Sequence, residues 1–556
     1  MRRSLFSFAL LALACAAHAD FQAVLTKGDA PGIGKMQYDL HFVSFAQNEV
    51  VASVDLGANR RAPVAFTNES GSRLWVNNKQ PTTKEWELLG FDVAGGKEIA
   101  RLPIGRRPGP PQQLFFWAHE TQDGEYIVAL GQQKNRWQVD TFRLADGERT
   151  STLPLNKGFL EVAYLTGDRV LAHNPVGRRQ VYLIDPVAGR VIWESRMRGD
   201  AKRFERSKDG DFLYLIEQEK ISGMAKPPGE RSKELVKGYD TKVRVLRTVD
   251  GKELGLYEVG FDLSKFHHGK DNDAAYALSR KSIVTGKSKL WRIAGDRVEL
   301  VREHDQPCMP EGVVADEATG VATALCKDSV EHGPLNAEGP IQFAELSATP
   351  EGGFFGPDLD TLYIDSSSGS RVAMFRLDPL ELVGVRGTGS AGLKFAQALA
   401  SVGGLALAAY TGYGFLSIPP YSSTAMALSD DDRKLYVMNG STRDVTVFDT
   451  GTFRRIALQG AGRAPLGMVR FDSAPYVFAL SLDRVQAYEP SSDEPVLDLD
   501  DGSFAGANGE LDRLYFSTEE GLGIYELSTL ERIALTPQLK GSYQAITPGK
   551  PAYRLY

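Results

Sequence analysis

The sequence predicts an all-β fold, a β-propeller made of repeated four-stranded blades, from three observations. Short runs rich in Val, Leu, Tyr and Phe follow one another along the chain, separated by turns of Asp, Asn, Gly and Ser. The same order of strands and turns recurs in about eleven units, spaced by roughly 40 residues where no insertion intervenes. A lone meander leaves both faces exposed, so each unit needs neighbours stacked against it.

The clearest unit spans residues 425–465. Its strands include Lys434 to Met438 and Val445 to Phe448, which are short and apolar. Before them comes an acidic run of Asp430, Asp431 and Asp432, a composition that can bind calcium. The same run suits a solvated turn between two strands, and we adopt the turn interpretation.

The number of units bears on the domain organisation. About eleven units exceed the four to eight blades of most propellers, so we predict two tandem rings, residues 20–346 and 347–556. The alternative is one ring of about eight blades over residues 20–556, closed by its terminal strands. In that case Tyr38 to Gly57 supplies the last two strands of a blade, and the stretch from Ser542 supplies two opening strands.

The N-terminus resembles an export signal. Residues 1–19 contain two arginines, then a Leu/Ala/Phe core too short to span a bilayer, then an Ala-His-Ala sequence. Cys15 is a possible lipidation site, although Ala12 stands where a lipobox prefers Leu. The arginine pair also resembles a twin-arginine signal but lacks a preceding Ser or Thr. With no other apolar stretch long enough to span, we expect a soluble mature protein in the periplasm or outside the cell.

Cys308 and Cys326 are the two cysteines left after cleavage. The residues between them read as two strands around a turn, so hairpin pairing brings the sulfurs together. In an oxidising compartment we expect a disulfide, which stabilises by roughly 3 kcal/mol for a loop of this size. The alternative, a redox-active or metal-binding pair, lacks a close CxxC motif or a flanking histidine.

Two further motifs resemble ligand sites. His267, His268 and Asp271 belong to the densest group of metal-ligand residues, although the segment equally suits an exposed polar connection. The run Gly387 to Gly392 fits GxGxxG, but no acidic residue follows before Asp430 and β repeats surround it. We therefore read it as an inter-blade loop and assign no cofactor-binding residue. No catalytic residue is assigned either, because the chain has no GxSxG, HExxH, P-loop or CxxCH motif.

The unit at residues 425–465 resembles the YVTN repeat, in which a Tyr-Val strand ends in Asn, a Val-rich strand ends in Asp, and Gly-x-x-Pro follows. The residues that match are Tyr436, Val437, Asn439, Asp449, Gly462 and Pro465. Such repeats occur in quinoprotein-like and WD-repeat-like propellers of bacterial envelopes. The resemblance implies a propeller fold and a bacterial-envelope environment. It implies no particular activity, because the family includes both enzymes and binding scaffolds.

These observations favour a secreted or periplasmic scaffold that binds an envelope protein or a small-molecule ligand. The alternatives are a propeller enzyme of the quinoprotein-like oxidoreductase or lactonase type, with a cofactor the sequence does not identify, and a surface protein that binds polysaccharide. A net charge of -7, a pI near 5.8 and the absence of a long basic stripe argue against a nucleic-acid partner.

Overall fold

The computed structural model describes residues 21–388 and 424–555 with short gaps. The gaps are 31–34, 45–46, 48, 60–62, 64, 69, 80–84, 106–117, 134–135, 156–160, 166, 174–179, 197–202, 226–233, 269–273, 282–286, 309, 337–338, 347–349, 357–359, 367–370, 440–441, 463–464, 472, 510, 541 and 547–553. The predicted signal peptide, including Cys15, therefore lies outside the described residues.

The described chain is all-β, as predicted. Its first strands are β1 (Phe21–Asp29), β2 (Met36–Ser44), β3 (Glu49–Asn59), β4 (Ala65–Thr67), β5 (Arg73–Lys79), β6 (Trp86–Asp92) and β7 (Glu98–Gly105). Then come β8 (Ala118–Glu120), β9 (Tyr126–Gln133), β10 (Arg136–Arg143), β11 (Arg149–Pro154), β12 (Glu161–Leu165), β13 (Arg169–His173), β14 (Gln180–Asp185), β15 (Arg190–Arg196), β16 (Arg203–Arg206), β17 (Phe212–Ala225), β18 (Glu234–Arg247), β19 (Glu253–Phe261), β20 (His267–His268), β21 (Ala275–Arg280), β22 (Lys287–Ala294) and β23 (Arg297–Pro307).

The chain continues through β24 (Pro310–Asp316), β25 (Val321–Cys326), β26 (Ser329–Pro334), β27 (Gln342–Glu345), β28 (Pro350–Phe355), β29 (Thr361–Ser366), β30 (Arg371–Leu377) and β31 (Leu380–Gly387). The last strands are β32 (Thr424–Leu428), β33 (Lys434–Asn439), β34 (Asp444–Asp449), β35 (Arg454–Gly460), β36 (Pro465–Arg470), β37 (Val477–Ser481), β38 (Val485–Tyr488), β39 (Leu497–Leu499), β40 (Gly502–Asn508), β41 (Arg513–Thr518), β42 (Gly521–Glu526), β43 (Arg532–Thr536), β44 (Ser542–Ile546) and β45 (Arg554–Leu555). A 3-10 turn, Pro537–Leu539, separates β43 from β44.

Most of the described sheets are antiparallel and four-stranded, as in the blades of a β-propeller fold, and the others have five or eight strands. Within most blades the strands pair in sequence order, for example β32-β33-β34-β35 and β40-β41-β42-β43. The middle strands are buried on both faces, whereas the last strand of a blade is largely exposed, as in β35. Among the described residues, no helix is long and apolar enough to cross a membrane.

The chain divides into two compact units. The first unit contains β1 to β7 and β32 to β45, and the second contains β8 to β31 apart from the start of β30 and the end of β31. The number of rings, and the predicted division between residues 346 and 347, stay predictions.

In the first unit, each blade packs face to face against the next. Leu40 and Phe42 of β2 share a core with Phe91 of β6. The opposite side of that first blade packs on β40–β43, where Val43 meets Tyr515. Because apolar residues cover both faces of the middle strands, a blade is stable only between neighbours.

The second unit repeats this packing from β8 to β31. Tyr182 of β14 shares a core with Val128 of β9 on one side, and its neighbour Leu183 shares one with Leu215 of β17 on the other. Further along, Leu325 of β25 packs with residues of β29 and β30. Alternate residues of one strand thus face two different blades.

Strands from both ends of the described chain share one sheet. Its order is β3-β2-β1-β44, and Val24 lies opposite Ala545 across the β1–β44 pair. The sequence suggested two C-terminal strands in this blade, but the structure places only β44 there, and β45 pairs with β36 instead. The fourth strand of this blade is β1, the N-terminal stretch Phe21–Asp29, and its side chains at 22–26 are buried.

Candidate functional site

A polar pocket lies at one end of the blade β40–β43, and we call it the β40–β43 pocket. It is lined by Asp501, Gly502, Ser503, Ser517, Thr518, Glu519 and Lys540. Asp501, Glu519 and Lys540 lie in the connections β39 to β40, β41 to β42 and β43 to β44, while the other four residues lie at the start of β40 and the end of β41. Its volume of about 600 Å³ is in the range that small-molecule ligands occupy in proteins.

The pocket floor depends on a close approach of two strands. Gly502 lies opposite Thr518, and Ser503 lies opposite Ser517, in the antiparallel pair β40–β41. A Cβ atom at position 502 would lie 2.2 Å from the carbonyl oxygen of Ser517, so only glycine fits there. The glycine therefore lets the β41–β42 turn sit beside the start of β40.

The rim residues are held by their local structure. The hydroxyl of Thr518 accepts a hydrogen bond from the Glu520 backbone N–H at 3.2 Å, which closes the β41–β42 turn beside Glu519. Leu539 at the end of the 3-10 turn is fully buried in a core with Val24 of β1 and Val43 of β2, so the backbone next to Lys540 is held in place. Both long rim side chains therefore extend from ordered backbone.

The lining is mixed in charge and rich in hydroxyls. Asp501 and Glu519 supply carboxylates, Lys540 supplies an ammonium group, and two serines and a threonine supply hydroxyls. Carboxylates accept hydrogen bonds, an ammonium group donates them, and hydroxyls do both. A matching ligand therefore carries hydroxyl or amino donors together with an acceptor or anionic group.

The sequence did not identify this pocket. Its residues lie in three connections and the adjoining strand ends, up to about 40 positions apart, and each connection alone reads as an ordinary polar turn. The Asp-Gly-Ser and Glu-Glu-Gly triplets at 501–503 and 519–521 are the signal available in the sequence, although many turns share such composition.

The acidic run at Asp430 to Asp432 forms a turn, as we interpreted it. The Asp431 carboxylate accepts from the hydroxyl of Ser429 at 2.6 Å and from the backbone N–H of Arg433 at 3.2 Å. These hydrogen bonds hold the pKa of Asp431 below its usual range. Because both donors belong to the turn itself, the run has a structural role.

Cys308 and Cys326 form the predicted disulfide, with their Cα atoms 5.1 Å apart. Cys308 precedes β24, and Cys326 ends β25, so the bridge joins the two strands of the predicted hairpin at their open end. Glu331 of the neighbouring strand β26 lies beside the two sulfurs, and all three side chains are buried. The carboxylate is a neighbour that the cysteine spacing did not reveal.

The histidine segment is only partly described. His267 and His268 are the two residues of β20, opposite Tyr276 and Ala275 of β21. Asp271 lies outside the described residues. The three metal candidates therefore stay a prediction.

The GxGxxG run is also partly described. Thr388 is fully buried, and its hydroxyl accepts a hydrogen bond from the Asn439 side-chain amide at 2.9 Å. The residues from Gly389 to Gly392 lie outside the described chain. The described half thus anchors the end of β31, and the loop interpretation of the remainder stays a prediction.

A histidine contact that no motif marked lies in the first blade. His41 spans two hydroxyls, with Nδ1 2.8 Å from Ser53 Oγ and Nε2 3.0 Å from Thr26 Oγ1. Burial lowers the pKa of His41, and the nearby Asp39 raises it by a smaller amount. The three residues lie on three adjacent strands, so the contact ties β1, β2 and β3 together.

Comparison with known proteins gives no family. No protein-family model matches the chain, and no curated protein matches it. Solved structures that match it include a eukaryotic initiation factor, with TM-score 0.36 and 10% identity over 80% of this chain and 97% of that chain. Dihydro-heme d1 dehydrogenase NirN in complex with DHE matches with TM-score 0.34 and 13% identity over 79% and 78%. Apo AztD from Citrobacter koseri matches with TM-score 0.31 and 12% identity over 80% and 96%. At such low scores these likenesses carry no argument about activity or partner.

Proposed function

We propose that this protein is a secreted or periplasmic β-propeller scaffold that binds its ligand at the β40–β43 pocket. The ligand is a small polar molecule or a polar segment of an envelope protein. The observation that carries the proposal is the pocket itself, in which three connections place two carboxylates and one ammonium group, and the adjoining ends of β40 and β41 place three hydroxyls, around about 600 Å³. We propose kinship with YVTN-repeat propellers on the residues of the unit at 425–465.

The blade arrangement supports a binding role. Tyr515 and Phe516 of β41, which lead to the pocket residue Ser517, are buried in the cores on the two faces of the blade. Packing on both faces fixes the turns that carry the polar groups, so the site is preorganised without a ligand. A rigid blade presenting polar groups on its turns is a common way for proteins to bind.

The buried disulfide supports the proposed compartment. A bridge between Cys308 and Cys326 is stable under oxidising conditions such as the periplasm or the exterior. Both cysteines are almost fully buried, at 1% and 0% exposure, which suits a structural bridge in an exported domain.

The test is the intact mass of the protein purified gently from its own host. We expect a larger mass under native conditions than after denaturation, and the difference identifies a small molecule or a protein partner. The variant Glu519→Gln/Lys540→Ala should lose this excess, because it removes one carboxylate and the ammonium group from the rim. Lys242→Ala/Glu258→Gln is the matched control, since these residues form an exposed ion pair at 2.7 Å on β18 and β19.

Two results would contradict the proposal. One is a wild-type protein with no excess mass. The other is an excess that the pocket variant keeps in full while it remains folded, as judged by its thermal transition, because the ligand would then sit elsewhere.

A further inference from the structure

Three potential metal ligands meet in the interior of the second unit. The sulfurs of Cys308 and Cys326 and a carboxylate oxygen of Glu331 lie within 4.8 Å of one another. All three residues are buried, and Glu331 is 1% exposed. Within the chain that the structure describes, this is the one such group of three.

The fold places the three side chains together through strand pairing. Cys326 ends β25, and β26 runs back beside it, with Glu331 opposite Ala324. Cys308 precedes β24, the other neighbour of β25. The carboxylate therefore arrives from the strand next to the disulfide, five positions after Cys326 in sequence.

We propose that reduction of the Cys308–Cys326 disulfide creates a Zn²⁺ site whose ligands are the two thiolates and the Glu331 carboxylate. Zinc takes both cysteine sulfur and carboxylate oxygen, at about 2.3 and 2.0–2.2 Å. Those bond lengths put the ligand atoms of a tetrahedral site roughly 3.5–3.8 Å apart. The carboxylate oxygen already lies within 4.8 Å of both sulfurs, and the sulfurs, which are bonded to each other in the disulfide, move apart once that bond is reduced. The fourth position is left to water.

The charges of the buried site are balanced with zinc bound. Two thiolates and one carboxylate carry three negative charges, and Zn²⁺ with the Arg302 guanidinium carries three positive charges. Arg302 is 4% exposed, so burial lowers the pKa of its guanidinium, and the Glu331 carboxylate raises it by a smaller amount. A neutral buried cluster avoids the large desolvation cost of an uncompensated charge.

The conversion needs a reductant, which we take to be a dithiol. The dithiol attacks the disulfide through a mixed disulfide and leaves as its own cyclic disulfide, passing two electrons and two protons to the cysteine sulfurs. Zn²⁺ then displaces these two protons to solvent as the two Zn–S bonds form. Oxidation reverses both steps and releases the metal. The proposal is independent of the β40–β43 pocket.

The experiment measures zinc bound to the full chain before and after reduction with a dithiol under native conditions. We expect one additional Zn²⁺ per chain in the reduced protein, after desalting, relative to the oxidised protein. Replacing Zn²⁺ with Co²⁺ should give sulfur-to-cobalt charge-transfer absorption, which reports thiolate ligands directly and needs no variant.

Glu331→Gln should weaken zinc binding by more than the roughly 10- to 100-fold that loss of a hydrogen-bond partner of a metal ligand costs, because it replaces a ligating carboxylate with a neutral amide of the same shape. Glu345→Gln is the matched control, since Glu345 is exposed on β27 of the same sheet. Any of three results would overturn the proposal. They are equal zinc in the oxidised and reduced protein, a disulfide that dithiol treatment under native conditions does not reduce, and a cobalt complex without sulfur-to-cobalt absorption. If Glu331→Gln does not fold, the cobalt spectrum of the wild-type protein decides.

Discussion

At the residue scale, one hydrogen-bonded turn recurs in three blades. In Thr121–Glu125, Ser207–Asp211 and Ser429–Arg433, a hydroxyl donates to the Asp two positions later. The Asp in turn accepts from the backbone N–H two positions beyond it. These side chains satisfy the backbone groups that a tight turn leaves unpaired, so the pattern is structural.

Asp431→Ala should lower the free energy of unfolding by about 1 kcal/mol, because the turn loses hydrogen bonds to a charged acceptor. Asp430→Ala should lower it by less than about 0.5 kcal/mol, since Asp430 forms an exposed ion pair with Arg470. Denaturant unfolding of both variants, with Ca²⁺ and with chelator, is the measurement. A midpoint that rises with Ca²⁺ in the wild type but not in Asp431→Ala would contradict the turn interpretation.

His41 should make stability depend on pH. Burial lowers the pKa of folded His41 below its unfolded value of about 6.5. At pH values between these two pKa values, the unfolded chain therefore binds more protons than the folded protein. Stability should therefore rise with pH up to about 6.5 and fall as the pH falls through this window. The melting temperature of the wild type should drop more between pH 7 and pH 5 than that of His41→Gln. Equal drops in melting temperature for the two proteins would show that His41 does not contribute to the pH dependence of stability.

At the element scale, the disulfide hairpin shows what sequence reasoning captures. The strands β24 and β25 and the turn between them follow from apolar runs around Asp-Glu-Ala-Thr-Gly. The next strand, β26, was not predicted, because Ser-Val-Glu-His-Gly-Pro has neither an apolar run nor a clean alternation. It is nevertheless buried, since neighbouring strands and blades enclose Glu331 and His332. Burial imposed by neighbours leaves no local pattern.

Replacing Cys308 and Cys326 with serine should lower the free energy of unfolding by roughly 3 kcal/mol, because the unfolded chain gains the entropy of an open loop. The bridge closes a sequence separation of 18 residues. The comparison is denaturant unfolding of the double variant and of the oxidised wild type. An unchanged midpoint would mean that the bridge adds nothing to the hairpin.

At the scale of the whole molecule, the blade formed by β1, β2, β3 and β44 joins the two ends of the described chain. Truncation after Lys540, which removes β44, should speed hydrogen exchange of the β1 amides. It should also lower the free energy of unfolding by about 2–4 kcal/mol, because the strand pairing at Ala23 to Thr26 is lost. Truncation after Ile546 keeps β44 and is the control. Unchanged hydrogen exchange in β1 after truncation at Lys540 would contradict the shared sheet.

The repeating pattern predicts the fold class but not the candidate site. Blades repeat a local rule of short apolar strands and polar turns, which the unit at 425–465 displays fully. The pocket instead needs residues from three connections and from the ends of β40 and β41, and their proximity depends on the close packing at Gly502 and the buried side chain of Leu539. Such contacts arise from tertiary packing, so no periodicity reports them.

The central claim is that the β40–β43 pocket holds a ligand, and hydrogen exchange tests where that ligand sits. The protein purified from its own host is compared with the same chain made by cell-free synthesis, which lacks the host's ligand. We predict slower exchange in the host protein at the amides of 501–503 and 517–519, with no change in the turn at Ser207–Asp211. Identical exchange at the pocket in the two preparations, with slowing at another site, would contradict the claim.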